Sequence, residues 1–271
     1  MASFTGDFKE NTLNSDLDAD DKIVLDSKST ASNITDISDR DYSIILENEK
    51  ILLEELKLQV KSELNIITNE DGTTTPTDKD NTAHYSDMTW IRFIRACKND
   101  INHATKRMIR THEWRKTMDI DNIVYPTSFP NVIEQDSIRI KGVDENNHPV
   151  ILIDCEKHDK NNRDIEECKR YILYIFEQSS LKSNAADERL SIIFDLTHFG
   201  LKSMDLEFCK FLIGTLTRHF PETLEYALIC NAPFIFQGFW VLVKQWIDPE
   251  TAKKVFFTDE DNIKKYIQMK E

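Results

Sequence analysis

The sequence YALICNAP at positions 226–233 decides the fold of this chain. Its first five residues form a continuous apolar run, a pattern typical of a strand that is buried on both faces of a sheet. Asn231 and Pro233 interrupt the run, so a new element must begin after them. The stretch therefore predicts a central strand at 226–230 that is followed directly by another element.

The sequence FIFQGFWVLVKQWI at positions 234–247 predicts a helix that is apolar nearly all round, with Lys244 as its only charge. Such a helix either lies inside a core or meets another apolar partner, such as a ligand or a bilayer. The pattern alone leaves both alternatives open. A membrane-spanning helix is rejected, because Pro233 and Gly238 interrupt the apolar stretch and its first part has the pattern of a strand.

Outside this stretch, helical and strand patterns alternate. Apolar residues at helical spacing predict a helix over 43–64, and a polar linker at 68–86 precedes two further helices, with Asp100 as N-cap of the second. Beyond Asn122 the patterns predict strands at 138–140, 150–154 and 190–196 and helices at 164–182 and 204–218. This alternation predicts an α/β fold, a sheet covered by helices.

Composition limits the classes of partner. The chain of 271 residues is 40% hydrophobic with a net charge of −14, so it can bury a full core. The acidic charge argues against nucleic acid and weakens electrostatic attraction to anionic membranes, so membrane contact would rely on apolar insertion. Residues 1–20 lack the pattern of a secretory signal, which predicts a cytoplasmic protein. The five cysteines have no close spacing and are predicted to be buried free thiols.

No catalytic constellation is visible in the sequence. There is no nucleophile-elbow pattern around a serine and no glycine loop for a phosphate, and the chain has only six glycines. The seven histidines lack the spacing of a zinc site and are predicted to face solvent or cap helices. His198 and His219 are expected near a pocket rim, but haem ligation by either is not favoured. We predict that the protein is not an enzyme and has no catalytic residue, metal or cofactor.

Three ordered motifs resemble the CRAL-TRIO lipid-transfer family, particularly its fungal phosphatidylinositol-transfer members. They are HFPETL at 219–224, NAPFIF at 231–236 and WIDPETAKKV at 246–255. The sequence WIRFIRACKND at 90–100 is similar to the family's N-terminal helical signature, and IIFDL at 192–196 is similar to a central strand. The resemblance extends over residues 43–268.

The resemblance implies a domain organisation. A disordered acidic tail (1–41) would precede a helical N-terminal CRAL-TRIO-N subdomain (42–122) and a CRAL-TRIO lipid-binding domain (123–271). In the latter, a sheet forms the floor of a pocket, helices cover it and an apolar gate helix closes it. The family chain normally continues into a short segment with a Leu-Gly-Gly turn, whereas this sequence stops at Glu271. The gate and membrane-contact residues implied are Phe236, Phe239, Trp240 and Val243.

The resemblance also implies a headgroup site. Glu222, Thr251 and Lys254 stand where family members bind the phosphate and inositol of phosphatidylinositol. A lysine charge, a threonine hydroxyl and an orienting carboxylate suit such a headgroup. The alternative is an ordinary Glu222–Lys254 ion pair, which contributes at most about 1 kcal/mol. Cys97 replaces a family arginine, so a cationic contact is lost unless Arg95 or Lys98 supplies it.

A second departure concerns phosphatidylcholine, which some family members exchange. Ile140, Ile151, Leu190 and Ile192 stand where those members have polar side chains. A phosphate among these aliphatic residues would lack partners, at a cost of several kcal/mol. A one-residue shift in strand register remains an alternative. Together with Phe194, the four residues predict a pocket lining that suits a sterol or isoprenoid lipid.

These features predict a lipid-binding and transfer protein. It would extract one phosphatidylinositol, or an apolar lipid, into a gated pocket and exchange it between membranes, or present it to a lipid kinase. It would be a monomer that contacts membrane surfaces transiently. The alternative is a scaffold or regulator that keeps the fold without transfer and binds a protein through the same apolar patch.

Overall fold

The computed structural model describes residues 45–64, 66–68, 74–76, 82–183, 185–259 and 267–268. The tail expected at 1–41 lies outside these residues, as does much of the linker expected at 68–86. The described part of that linker includes strand, which corrects the prediction: β1 (Ile66–Thr68) pairs antiparallel with β2 (Thr74–Pro76). The β-branched isoleucines and threonines of these segments favour extended backbone, and this preference outweighs their polar context.

Three helices form a layer around a core of their own. They are α1 (Glu47–Leu64), α2 (Asp87–Ala96) and α3 (Ile101–Thr117). Leu56, Trp90, Ile94 and Met108 lie in this core. Asp100 is the N-cap of α3, as predicted, and its carboxylate accepts a hydrogen bond from the His103 amide at 3.0 Å. The capping carboxylate satisfies an amide that has no partner within the helix, so α3 begins at a defined residue.

A six-stranded sheet forms the centre of the rest of the described chain. Its strands are β3 (Ile138–Asp144), β4 (Pro149–Asp154), β5 (Leu190–Asp195), β6 (Leu224–Cys230), β7 (Val255–Thr258) and β8 (Ile267–Gln268). The order is β7-β6-β5-β4-β3-β8, with β4 to β7 parallel and β3 antiparallel to both neighbours. The predicted α/β fold is therefore confirmed, and the apolar run at 226–230 lies inside β6.

Helices cover one face of this sheet and bury its apolar side chains. They are α4 (Pro130–Gln135), α5 (Ile165–Lys182) and α6 (Leu206–His219), which begins two residues later than expected. Residues of α5 and α6 share one core with inward residues of β4, β5 and β6, whereas Tyr226, Leu228 and Cys230 belong to a cluster on the opposite face. The alternation along β6 follows from the period of two of a strand.

The aromatic segment forms a shorter helix than predicted. Helix α7 spans Phe236–Val243, a 3-10 turn follows at Lys244–Trp246, and α8 (Pro249–Ala252) begins after it. Phe239 and Val243, one turn apart, are buried, whereas Val241 and Leu242 on the other side are 50% and 46% exposed. The helix thus has one apolar face packed on the core and one apolar face in solvent. None of the described helices combines the length and the apolar character needed to cross a bilayer.

Candidate lipid-binding site

An apolar cavity of about 120 Å³ lies between the sheet, α6 and α7. Its floor comes from alternate residues of the parallel strands β5 and β6, because these side chains point to the same face of the sheet. Helix α6 supplies one wall and α7 closes the other side. The main contributors are Ile192, Phe194, Ala227, Ile229, Leu212 and Leu216. Among the described lining residues there is no aspartate, glutamate, lysine or arginine, so the interior suits uncharged, apolar groups.

The predicted pocket lining is only partly reproduced. Ile192 and Phe194 line the cavity, but Ile140, Ile151 and Leu190 do not. All three pack in the core that α5 covers, where bulky side chains such as Tyr171 and Phe176 occupy space above the sheet, and Leu190 also lines a separate cavity. The prediction failed there because the position of a residue in a strand determines only which face of the sheet its side chain is on. Whether a cavity remains next to that side chain depends on the helix that packs over it.

All four predicted gate residues, Phe236, Phe239, Trp240 and Val243, line the cavity. Phe199, in the loop after β5, packs against the first two of them, with ring centroids 5.3 Å from Phe236 and 5.6 Å from Phe239. These contacts are apolar and lie on the inner face of α7. Helix α7 therefore packs against the residues that line the cavity through van der Waals contacts.

The three predicted headgroup residues lie near the amino ends of β6 and β7. The Lys254 Nζ is 3.9 Å from the Glu222 Oε2 and donates to the Leu224 carbonyl at 2.7 Å. Thr251 lines the cavity, whereas Glu222 and Lys254 do not. The Thr251 hydroxyl donates to the Asp248 carboxylate at 2.6 Å. The structure thus brings Glu222 and Lys254 together at long ion-pair distance, with Thr251 beside them. Their role in headgroup binding stays a prediction.

The surroundings of Cys97 show which cation stands near it. Arg95 does not replace the missing family arginine, because its guanidinium binds both carboxylate oxygens of Glu49 at 2.8 Å in a buried pair. Arg107, from α3, instead lies 3.8 Å from the Cys97 Sγ and donates to the Thr217 carbonyl at 2.9 Å. Its charge therefore sits at the carboxyl end of α6, where a cation is favoured. No local pattern could predict this contact, since 110 residues separate its partners.

Polar side chains also reach the cavity at the opposite edge of the sheet. His158 and Ser203 line it, together with the half-buried thiols of Cys155 and Cys209. Burial raises the pKa of Cys209 to about 12, so the thiol stays protonated. The His158 Nε2 lies 2.9 Å from the Asp205 Oδ2. Although burial alone would raise it, hydrogen bonds from His158 and Arg163 hold the pKa of Asp205 well below its usual range.

The predicted placement of the histidines was wrong in part. His112, His148 and His158 are buried rather than solvent-facing. His219 lines a different cavity, where its ring stacks on Trp114 at 3.8 Å, and the His198 side chain is exposed. The cysteines follow expectation more closely, because all five are free and three are buried.

Residues 134–271 match the CRAL/TRIO domain. The chain belongs to this family. A CRAL-TRIO domain-containing protein of Schizosaccharomyces pombe is 30% identical over 177 residues, which cover 62% of this chain and 40% of that protein. The phosphatidylinositol transfer protein CSR1 of Eremothecium gossypii is 32% identical over 185 residues, which cover 64% of this chain and 42% of that protein. The chain thus spans about two fifths of the length of both CRAL/TRIO relatives.

The fold of this CRAL/TRIO chain is also that of a solved relative. The crystal structure of Sfh5 superposes with a TM-score of 0.62, at 17% identity, over 84% of this chain and 83% of that one. At this identity the likeness concerns the fold alone. The resemblance inferred from the three sequence motifs is confirmed by the domain match and by the relatives.

Proposed function

We propose that this chain binds one lipid at a time in the cavity beneath α7 and exchanges it between membranes. The observation that carries the proposal is the charge-free cavity, closed by a helix whose outer face is itself apolar and exposed. The family supports lipid binding in general, and one relative is named a phosphatidylinositol transfer protein. The protein acts in the cytoplasm as a monomer that meets membranes transiently, and no covalent chemistry is required of it.

Opening of α7 is a necessary step in this function. A cavity of about 120 Å³ is smaller than the ~300–1,000 Å³ of ordinary ligand sites, so a lipid enters only if the lid moves outward. Phe234, Val241 and Leu242 lie on the exposed side of the lid region. Insertion of these side chains into a bilayer would replace the inner contacts that α7 loses. The net charge of −14 makes this apolar contact the main attraction to a membrane.

Two lipid classes suit the two parts of the site, the amino edge of the sheet and the interior of the cavity. At the amino edge of the sheet, Glu222, Thr251 and Lys254 would bind the headgroup of phosphatidylinositol, since Lys254 offers a charge to its phosphate. Inside the cavity, Ile192 and Phe194 would contact acyl chains or an apolar lipid of the sterol or isoprenoid type. Phosphatidylcholine is not expected, because a buried choline phosphate would meet no charged partner among the described lining residues.

Lipid mass spectrometry of the natively purified chain tests the proposal. A Glu222→Gln, Lys254→Met double variant removes both headgroup charges at nearly constant shape. A Glu250→Gln, Lys253→Met variant is the matched control, because it removes an exposed ion pair of the neighbouring turn with the same change in charge. We expect phosphatidylinositol in the wild type and in the control, and a loss of at least tenfold in the headgroup variant.

Other outcomes separate the alternatives. An apolar lipid retained equally in all three proteins would place specificity inside the cavity and remove the headgroup site. Recovered phosphatidylcholine would contradict the charge argument. A lipid-free protein in every case would favour the scaffold or regulator, which would dock a protein, such as a lipid kinase, on the exposed face formed by Val241 and Leu242.

A further inference from the structure

The hydroxyl of Ser203 is buried and has no hydrogen-bond partner in the described part of the chain. Ser203 is 6% exposed and lies at the end of a 3-10 turn, Leu201–Ser203, in the loop that leaves β5. Its Oγ makes no hydrogen bond to any described residue, although the side chain lines the apolar cavity. A buried hydroxyl left unpaired costs about 1–3 kcal/mol. This cost disappears when a ligand supplies the missing donor or acceptor.

Ser203 lies at the end of the cavity opposite the proposed headgroup site. Glu222 and Lys254 precede β6 and β7, whereas Ser203 follows β5, and these strands run parallel. The six residues of β5 separate the two edges by roughly 16–20 Å. The charged Glu222–Lys254 pair thus lies at the amino edge of the sheet, outside the cavity lining, whereas the uncharged Ser203 lines the cavity at the carboxyl edge.

The neighbouring polar groups show which ligand chemistry fits the Ser203 end. The His158 Nε2 is engaged by the Asp205 carboxylate at 2.9 Å, and the same carboxylate accepts from Arg163 and from the Phe208 amide. Asp205 is therefore neutralised by these donors and offers no free charge to a ligand. No described lysine or arginine lines the cavity, so a phosphate or carboxylate at this end would remain unpaired.

We propose that Ser203 binds the single uncharged polar group, a hydroxyl or a carbonyl, of an otherwise apolar lipid that lies in the cavity with this group at the carboxyl edge of the sheet. A serine hydroxyl both donates and accepts, so it pairs with either group. The inference rests on the proposed lipid-binding function and defines the ligand class and its orientation. It differs from the phosphatidylinositol site, where the polar group lies at the other edge.

Matched ligand pairs test this inference on the full chain after lipid removal. The pairs are cholesterol with 5-cholestene and phytol with its deoxygenated hydrocarbon. Each ligand is delivered from cyclodextrin, and its binding is measured by the quenching of tryptophan fluorescence. Trp240 lines the cavity and provides the signal. We expect the wild type to prefer the alcohol of at least one pair by about three- to tenfold, the range of one net hydrogen bond.

The Ser203→Ala variant should lose this preference while it binds the hydrocarbon as well as the wild type does. Its melting temperature without ligand should be unchanged or higher, because the substitution removes an unpaired hydroxyl. The ligand pairs also test the wild type alone, so the inference stays falsifiable if the variant folds poorly.

Three results would overturn the inference, and they are distinguishable. If alcohol and hydrocarbon bind but Ser203→Ala keeps the preference, Ser203 is not the partner and the lipid-binding function stands. If Thr217→Val, at the other end of the cavity, abolishes the preference instead, the ligand lies in the reverse orientation. If neither member of either pair binds the wild type, apolar-lipid binding itself fails, and the inference fails with it.

Discussion

Two cavities on the same side of the sheet differ in the charge of the side chains that line them. The apolar cavity beneath α7 has Ile192 of β5 in its floor. A second cavity, of about 300 Å³, lies between α2, α3, α5 and the end of α6, and is lined by Leu190 of the same strand. Its walls carry the charged side chains of Arg92, Arg115, Glu177 and Glu188. One strand thus contributes to a charge-free cavity and to a strongly polar one.

The contacts around the second cavity connect elements that are distant in sequence. Arg92 donates to the Glu188 carbonyl at 2.9 Å and lies 3.4 Å from the Glu188 carboxylate. Arg115 binds the Glu177 carboxylate at 2.7 Å, which ties α3 to α5. Both arginines are buried, so opening these pairs would leave a poorly solvated charge on each guanidinium. Among the described residues, α7 meets the apolar cavity through van der Waals contacts, and a bilayer can replace those. We infer that the polar cavity holds the fold together and that the apolar one can open.

The largest expected effect is on stability, at the polar cavity. Arg92→Met removes the buried guanidinium that donates to two carbonyls and pairs with the Glu188 carboxylate, which keeps a hydrogen bond from the Ser86 hydroxyl, so the free energy of unfolding should fall by about 3–5 kcal/mol. Urea denaturation measures the change. The control is Arg139→Met, which removes a half-exposed pair with Asp136 and should cost less than about 1 kcal/mol. A loss of that small size for Arg92→Met would remove the structural role of the second cavity.

The next largest effect is expected at the apolar cavity, because α7 packs against it and is the proposed lid. Phe239→Ala removes a buried ring, so the free energy of unfolding should fall by about 3 kcal/mol and bound lipid should dissociate faster. Leu242→Ala on the exposed face of α7 is the control and should change stability by less than about 0.5 kcal/mol. If the two variants release lipid at the same rate when no membrane is present, α7 is not the gate.

The free energy of unfolding is expected to change by about 2 kcal/mol with pH, through the hydrogen-bond network that continues from the second cavity. The Arg92 guanidinium donates to the Asp187 carbonyl, and the Asp187 carboxylate binds His148, which also binds Asp144. Burial opposes protonation, but the two carboxylates raise the pKa of His148 to about 9. Because this pKa exceeds the unfolded value near 6.5, the stabilisation is complete below pH 6.5 and is lost as pH rises through 9.

The measurement for His148 compares wild type and His148→Gln by urea denaturation at pH 6.5 and at pH 9.5. The difference in free energy of unfolding between the two proteins should shrink by about 2 kcal/mol between these values, since the variant lacks the titrating group. A difference that is independent of pH would mean that His148 is neutral in the folded protein.

The helices and strands around the two cavities were more predictable from the sequence than the residues that line the cavities. The apolar run inside β6, the Asp100 cap and the boundaries of α5 follow from patterns within about twenty residues, and each lies where the sequence places it. Ile151 was misplaced because the side chains of α5 occupy the space above it, and Leu190 was misplaced because it lines the second cavity instead. No local sequence pattern identifies Arg107 or Ser203. The partner of Arg107 is distant in sequence, and the Ser203 hydroxyl has no partner among the described residues.

The smallest expected change in stability belongs to the proposed headgroup pair. Glu222 and Lys254 are 3.9 Å apart and partly exposed, so Glu222→Gln should change the free energy of unfolding by less than about 1 kcal/mol. The same variant should nevertheless bind phosphatidylinositol vesicles more weakly, because the carboxylate would no longer orient the Lys254 ammonium toward a phosphate. Glu250→Gln controls for the change in net charge. A stability loss above about 2 kcal/mol with unchanged lipid binding would instead make the pair part of the fold, and this pair would then resemble the ion pairs of the polar cavity rather than a ligand site.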